Sequence, residues 1–131
     1  MLMSYLLIAI GGAIGSMARF GFSGLVARTT GATFPYGTMF VNVTGALIIG
    51  FFATLTGPDG RILVSVQSRQ FVMVGICGGY TTFSSFSLET LNLVSDGQWL
   101  AAGANILMSV LLCMIAVWAG YVAASALSRG A

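Results

Sequence analysis

The sequence predicts an all-α integral membrane protein with four transmembrane helices, the third of them broken. Three observations carry this. Of 131 residues, 57% are hydrophobic and only 6% are charged, whereas a soluble domain is about 25% charged and needs that charge to cover its surface. Four apolar stretches each reach the roughly 20 residues that a helix needs to cross a hydrocarbon core of about 30 Å. The third stretch carries paired glycines and a run of hydroxyls at its middle. Four spans take up most of the chain, so residues 1–131 read as a single four-helix domain.

The same inventory argues against an enzyme. There are five arginines, no lysine and no histidine, and Asp59, Glu89 and Asp96 are the only carboxylates. No ATP-binding motif and no redox site stand out. The two cysteines, Cys77 and Cys113, both fall inside apolar spans, so free thiols are expected rather than a disulfide framework.

The first span covers residues 2–26. It lacks a basic leading region and its apolar run outlasts that of a signal peptide, so it reads as a retained helix. Residues 28–35 (RTTGATFP) are polar and end in proline. The second span covers 36–55. Residues 57–70 (GPDGRILVSVQSRQ) form the next break, and the third span covers 71–94. A short turn at 95–98 (SDGQ) leads into the fourth span at 100–127. Short connections favour antiparallel neighbours. Tyr5, Tyr36, Trp99, Trp118 and Tyr121 lie towards span ends, as interfacial aromatics do.

Charge gives little orientation. Four spans put Arg61, Arg69 and Arg129 on one side and Arg28 on the other, with Arg19 inside the first span. The positive-inside rule reads such a bias, and this one is weak enough to suggest that both orientations are inserted and pair as antiparallel dimers.

Polar groups at membrane depth are costly and face protein or water. Arg19 continues the Gly11/Gly15 face of the first span; it either snorkels to the interface or faces the interior and draws anions inward. Asn42, Ala46 and Gly50 recur every four residues on the second span. That asparagine is either glue between helices or an amide donating into a cavity. Asn105, Ser109 and Cys113 share an edge of the fourth span, which serves packing or lines a polar path.

The third span, FVMVGICGGYTTFSSFSLETLNLV, is the strongest anomaly. Each glycine weakens a helix by about 1 kcal/mol, and the hydroxyls after them compete for backbone hydrogen bonds. A break is therefore predicted near residues 78–82, with the helix restarting beyond it. Non-helical backbone at this depth survives only inside protein or along a cavity. Freed carbonyls there can coordinate a cation and the restarted helix offers its N-terminus to an anion. Phe83 and Phe86 follow on one face. They are ordinary apolar residues, or rings whose partly positive edges face an anion. Glu89 caps, pairs with Arg19, or sits in an aqueous vestibule.

GGYTTFSSFSLE (78–89), GTMFVNVTGALIIG (37–50) and GGAIGSMARF (11–20) together resemble the signatures of the Fluc/CrcB fluoride channel family, in the family's order and across all four spans. The resemblance implies a bacterial inner-membrane, multi-pass protein. It would assemble with a second copy of itself as an antiparallel, dual-topology homodimer in the lipid bilayer, with no nucleic-acid partner. It implies fluoride leaving the cytoplasm passively along a path of Phe83, Phe86, Asn42, Ser109, Asn105 and Arg19. A structural sodium ion (Na+), not transported, would be held by the carbonyls of Gly78 and Thr81. Asn105 stands where some relatives have tyrosine, and Cys113 replaces a hydroxyl with a weaker donor. A proton-coupled multidrug exporter of the small four-helix type is the alternative; it needs a carboxylate in the first span, and this chain has none there.

Overall fold

The computed structural model describes residues 1–130. Five helices occur among them: α1 (Leu2–Thr30), α2 (Tyr36–Leu55), α3 (66–80), α4 (Phe83–Ser95) and α5 (Trp99–Arg129). Helices α3 and α4 run on from one another through residues 81 and 82, so the chain has four segments long and apolar enough to cross a membrane.

The second span begins and ends where the sequence places it, at Tyr36 and Leu55, directly after Pro35. The others are longer than their apolar runs. Helix α1 goes four residues past Val26, because Thr29 and Thr30 donate back to the Val26 carbonyl at 2.9 and 2.8 Å. Gly31, at φ +86°, then ends it with its N–H on the Ala27 carbonyl. At about 1.5 Å per residue α1 measures roughly 44 Å, well beyond the hydrocarbon thickness. Polar residues outside the hydrocarbon need not unwind a helix. The turn at 96–98 closes through Gly97 at φ +76°, with Gln98 N–H on the Leu93 carbonyl at 2.8 Å.

Helix α3 starts at Val66, not at residue 71. Ser65 caps it by accepting from the Ser68 N–H at 3.1 Å, a local signal inside a stretch that otherwise reads as a polar break. From Gln70 to Cys77 the helix is π-wound. This winding has a packing consequence. A Cβ on Gly11 of α1 would sit 2.6 Å from the Phe71 carbonyl, and one on Gly15 would strike the Ile76 carbonyl. One α-turn along α1 is thus matched by five residues along α3, one π-turn. The wider turn keeps successive α3 carbonyls in phase with successive α1 glycines, and the backbones touch.

The break is narrower than 78–82. Gly78 and Gly79 remain helical, and only Thr81 (ψ 156°) and Thr82 (φ −153°, ψ 112°) are extended. Gly79 serves contact instead: a Cβ there would lie 2.6 Å from the Gly12 carbonyl.

Two pairs result. Helix α1 packs along α3, while α2 packs along α5, with α4 resting on α5. The small face of α2 works as its spacing suggests, since a Cβ on Gly120 of α5 would meet the Phe51 N–H of α2 at 2.7 Å. Close backbone approach of this kind replaces the hydrophobic drive that lipid removes. Few large apolar side chains are fully buried, and the interfacial aromatics Tyr5, Trp99 and Trp118 are exposed.

Candidate functional site

Breaking a helix at membrane depth strands backbone groups, and the site is built from how they are rehoused. In an unbroken helix the Thr82 N–H would close on the Gly78 carbonyl. Here it donates to Asn42 Oδ1 at 2.7 Å, and Asn42 Nδ2 donates to the Thr82 carbonyl at 3.0 Å. The amide therefore pairs with one backbone unit on both sides, as a neighbouring strand would. Arg19 Nε donates to the Gly79 carbonyl at 2.9 Å. Thr82 caps the restarted helix by accepting from the Ser85 N–H at 3.1 Å. Tyr80, just before the break, is pinned to α2 by a 2.8 Å hydroxyl contact with Thr44.

A groove of about 450 Å³ opens beside these residues. Asn42 and Ala46 of α2, Gly78 of α3, Thr81, Phe83 and Phe86, and Ser109 and Cys113 of α5 all line it. Six of the eight residues singled out from the sequence thus meet at one place. No charged side chain is among the groove's described lining residues. The two phenylalanine rings lie 5.3 Å apart, centre to centre, tilted by 51°. Phe86 is buried at 9% exposure, whereas Phe83 is 76% exposed and marks the open side. Asn42 spends one of its two amide hydrogens on Thr82; the other remains for the groove. Both cysteines are free.

The other two residues stand behind the groove. Arg19 holds the carbonyl adjoining Gly78 and so steadies the break. Asn105, at 1% exposure, donates to Thr90 Oγ1 at 2.9 Å and accepts from the Ser109 hydroxyl at 3.2 Å.

A second cavity, of about 870 Å³, lies along the last turns of α1. Arg28, Thr38, Glu89, Asn92 and Asp96 are among its lining residues. Of the three roles open to Glu89, the structure places it in this vestibule. Thr38 Oγ1 donates to Glu89 Oε1 at 2.6 Å, and Oε2 is buried with no hydrogen-bond partner among the described residues. Sequence reasoning passed over Thr38, Thr44 and Thr90, whose roles depend on which helices meet. The Thr82 cap was legible in principle, because threonine is a favoured N-cap residue and stands where the helix is expected to restart.

The freed Gly78 carbonyl and the extended Thr81 give a donor set of backbone oxygens, which suits a hard cation such as sodium. Both residues also line the open groove. Among the described residues there is no cluster of three acidic, histidine or cysteine side chains that would favour another metal.

Comparison with known proteins agrees with the pattern. Residues 6–121 match the family model described as CrcB-like protein, Camphor Resistance (CrcB). A protein of Opitutus terrae named fluoride-specific ion channel FluC is 60% identical over 124 residues, covering 95% of this chain and 94% of its own length. One of Rhodospirillum rubrum with the same name is 55% identical over 128 residues, covering 98% and 99%. One of Gluconobacter oxydans, again so named, is 46% identical over 127 residues, covering 96% and 88%.

Proposed function

The chain belongs to the CrcB family, and from this premise we propose that it is a fluoride channel whose anion path runs along the groove at the break. The observation that carries this reading is the groove's neutral lining: the Asn42 amide, the hydroxyls of Thr81, Thr82 and Ser109 and two phenylalanine rings, set among apolar side chains such as Ile49, Met73, Val110 and Met114, with no charged residue among those described. The relatives' names support fluoride as the ion and favour a channel over an exporter.

Fluoride is small and holds its water strongly, so donors must replace that water as it leaves bulk solution. Asn42 offers its remaining N–H, Ser109 its hydroxyl, and Phe83 and Phe86 their ring edges. Each contact is weak. A series of weak stations lets an ion enter without being trapped, as conduction requires. Arg19 and Asn105 contribute by holding the break and Ser109 in place. The structure-based fit of Gly78 and Thr81 supports a bound sodium ion at the break. Such an ion, held by those carbonyls from two copies, would supply a buried positive charge near the rings.

A second copy completes the path in this reading. Phe83 is exposed on the groove's open side, and a pore open along its side leaves an anion facing lipid. The weak charge bias supports an antiparallel arrangement, which gives two equivalent paths. The chain serves a bacterial inner membrane, letting cytoplasmic fluoride run down its gradient.

The test is efflux from liposomes containing the purified chain, followed with a fluoride electrode. Fluoride should leave without ATP or a proton gradient while chloride stays behind. Replacing sodium with a bulky organic cation during reconstitution should slow it. Equal efflux of chloride and fluoride would remove the reading.

A further inference from the structure

Beneath the groove runs a chain of hydrogen bonds that joins its two walls. Thr90 Oγ1 donates to the Phe86 carbonyl at 2.7 Å. With its one proton committed there, Thr90 can only accept from Asn105, whose Nδ2 donates to it at 2.9 Å. That contact fixes which way the Asn105 amide faces. Its oxygen is left pointing at Ser109, which donates to it at 3.2 Å. A hydroxyl has one proton and two lone pairs. As the site stands, Ser109 therefore turns its proton away from the groove and presents lone pairs to it, the wrong polarity for an anion.

We infer that Asn105 is a positioning residue that withholds the Ser109 proton from the groove until fluoride takes it. This rests on the fluoride-channel reading and adds to it how loosely the ion is held. The Ser109–Asn105 contact is long for an O–H···O bond, whose usual length is about 2.7–2.8 Å, so the hydroxyl exchanges partners readily. Fluoride arriving in the groove draws the proton round to itself. Asn105 Oδ1, at 1% exposure, then lies buried without that donor, an unfavourable state that reverses when the ion moves on. The station is thereby set to release. Thr90 and the Phe86 carbonyl keep the amide from flipping, which would otherwise hand Ser109 an N–H instead of an acceptor.

The inference separates from a merely structural role through the concentration dependence of flux and a double-mutant cycle. Asn105→Leu keeps the volume and removes the acceptor. The Ser109 hydroxyl is then always available, so the fluoride concentration for half-maximal efflux should fall about three- to tenfold, the scale of one modest hydrogen bond, and maximal efflux should fall with it. In a Ser109→Ala background, Asn105→Leu should change neither quantity further. Thr90→Val, which frees the amide without touching Asn105, should move both in the same direction by less, and it carries the test should Asn105→Leu fail to assemble. Equal effects of Asn105→Leu with and without Ser109, or a rise in the half-maximal concentration in either single variant, overturn the inference while leaving fluoride conduction intact. Absence of fluoride efflux from the unsubstituted chain removes the channel reading and this inference together.

Discussion

Two cavities border helix α4. Phe83 and Phe86, in its first turns, line the groove, and Glu89 and Asn92, further along the same helix, line the vestibule together with Asp96 just past its end. The groove has no charged lining residue among those described, while the vestibule has Arg28, Glu89 and Asp96. One helix thus changes character within about two turns. In the larger cavity the Glu89 carboxylate is held by the Thr38 hydroxyl, with Arg28 and Asp96 lining the same space. Charged side chains are kept from the smaller one, where a fixed charge on the wall would hold its counter-ion too firmly or cost too much to bury. The comparison teaches that charged and neutral linings are segregated along one helix, and the selectivity proposed above is assigned to the neutral end.

On that division, the largest effects belong to the groove. Phe83→Ile or Phe86→Ile keeps an apolar side chain but removes the ring edge, and fluoride efflux should fall by about two orders of magnitude, equivalent to roughly 3 kcal/mol, with assembly on gel filtration unchanged. Normal efflux in both variants would erase the special status of the rings.

Asn42→Ala should come next. It leaves the Thr82 N–H and carbonyl unpaired at the break, a loss of about 1–3 kcal/mol for each buried group. Efflux should drop about tenfold and the detergent-solubilised protein should melt at lower temperature. Because the damage is to backbone support, Asn42→Asp should restore the contact to the Thr82 N–H but not the one to its carbonyl, and recover part of the melting temperature only.

The vestibule should respond least. Thr38→Val removes the donor to Glu89, and Arg28→Gln removes the vestibule's cation. Efflux should change by no more than about threefold in either, and the Arg28 effect should fade as ionic strength is raised. A vestibule substitution that matched the phenylalanine variants would break the comparison by placing the controlling step at the charged end.

Much of this was legible before any coordinates. The bounds of α2 are those of its apolar run, since proline stands immediately before it and its last apolar residue ends it. Six site residues came together because they cluster around one anomaly in the third span, where composition alone betrays non-helical backbone. The ends of α1, α3 and α5 were read short, because a polar residue says where hydrocarbon stops and a hydrogen bond such as Thr30 to Val26 says where the helix stops. The π-winding of 70–77 left no mark in composition, as it is a matter of phase between two helices. Asn105 looked like a lining residue, for spacing puts it on the same edge as Ser109. Only the packing of α4 across that edge shows it one layer back, bonded to Thr90. Paired glycines were read as the break itself, yet Gly79 is helical and spent on contact with α1.

The contact between α1 and α3 also has a meaning for genetics. An alanine at Gly45 would collide with the Thr81 methyl and the Tyr80 ring, both of them side chains that a second mutation can trim. At Gly15 the first obstacle is the Ile76 carbonyl, and at Gly11 it is the Phe71 carbonyl. No codon change removes a peptide oxygen. A screen for suppressors should therefore return partners for Gly45→Ala at positions 80 and 81. For Gly15→Ala it should return none at the point of contact, which leaves that seam without a neighbouring route of mutational escape.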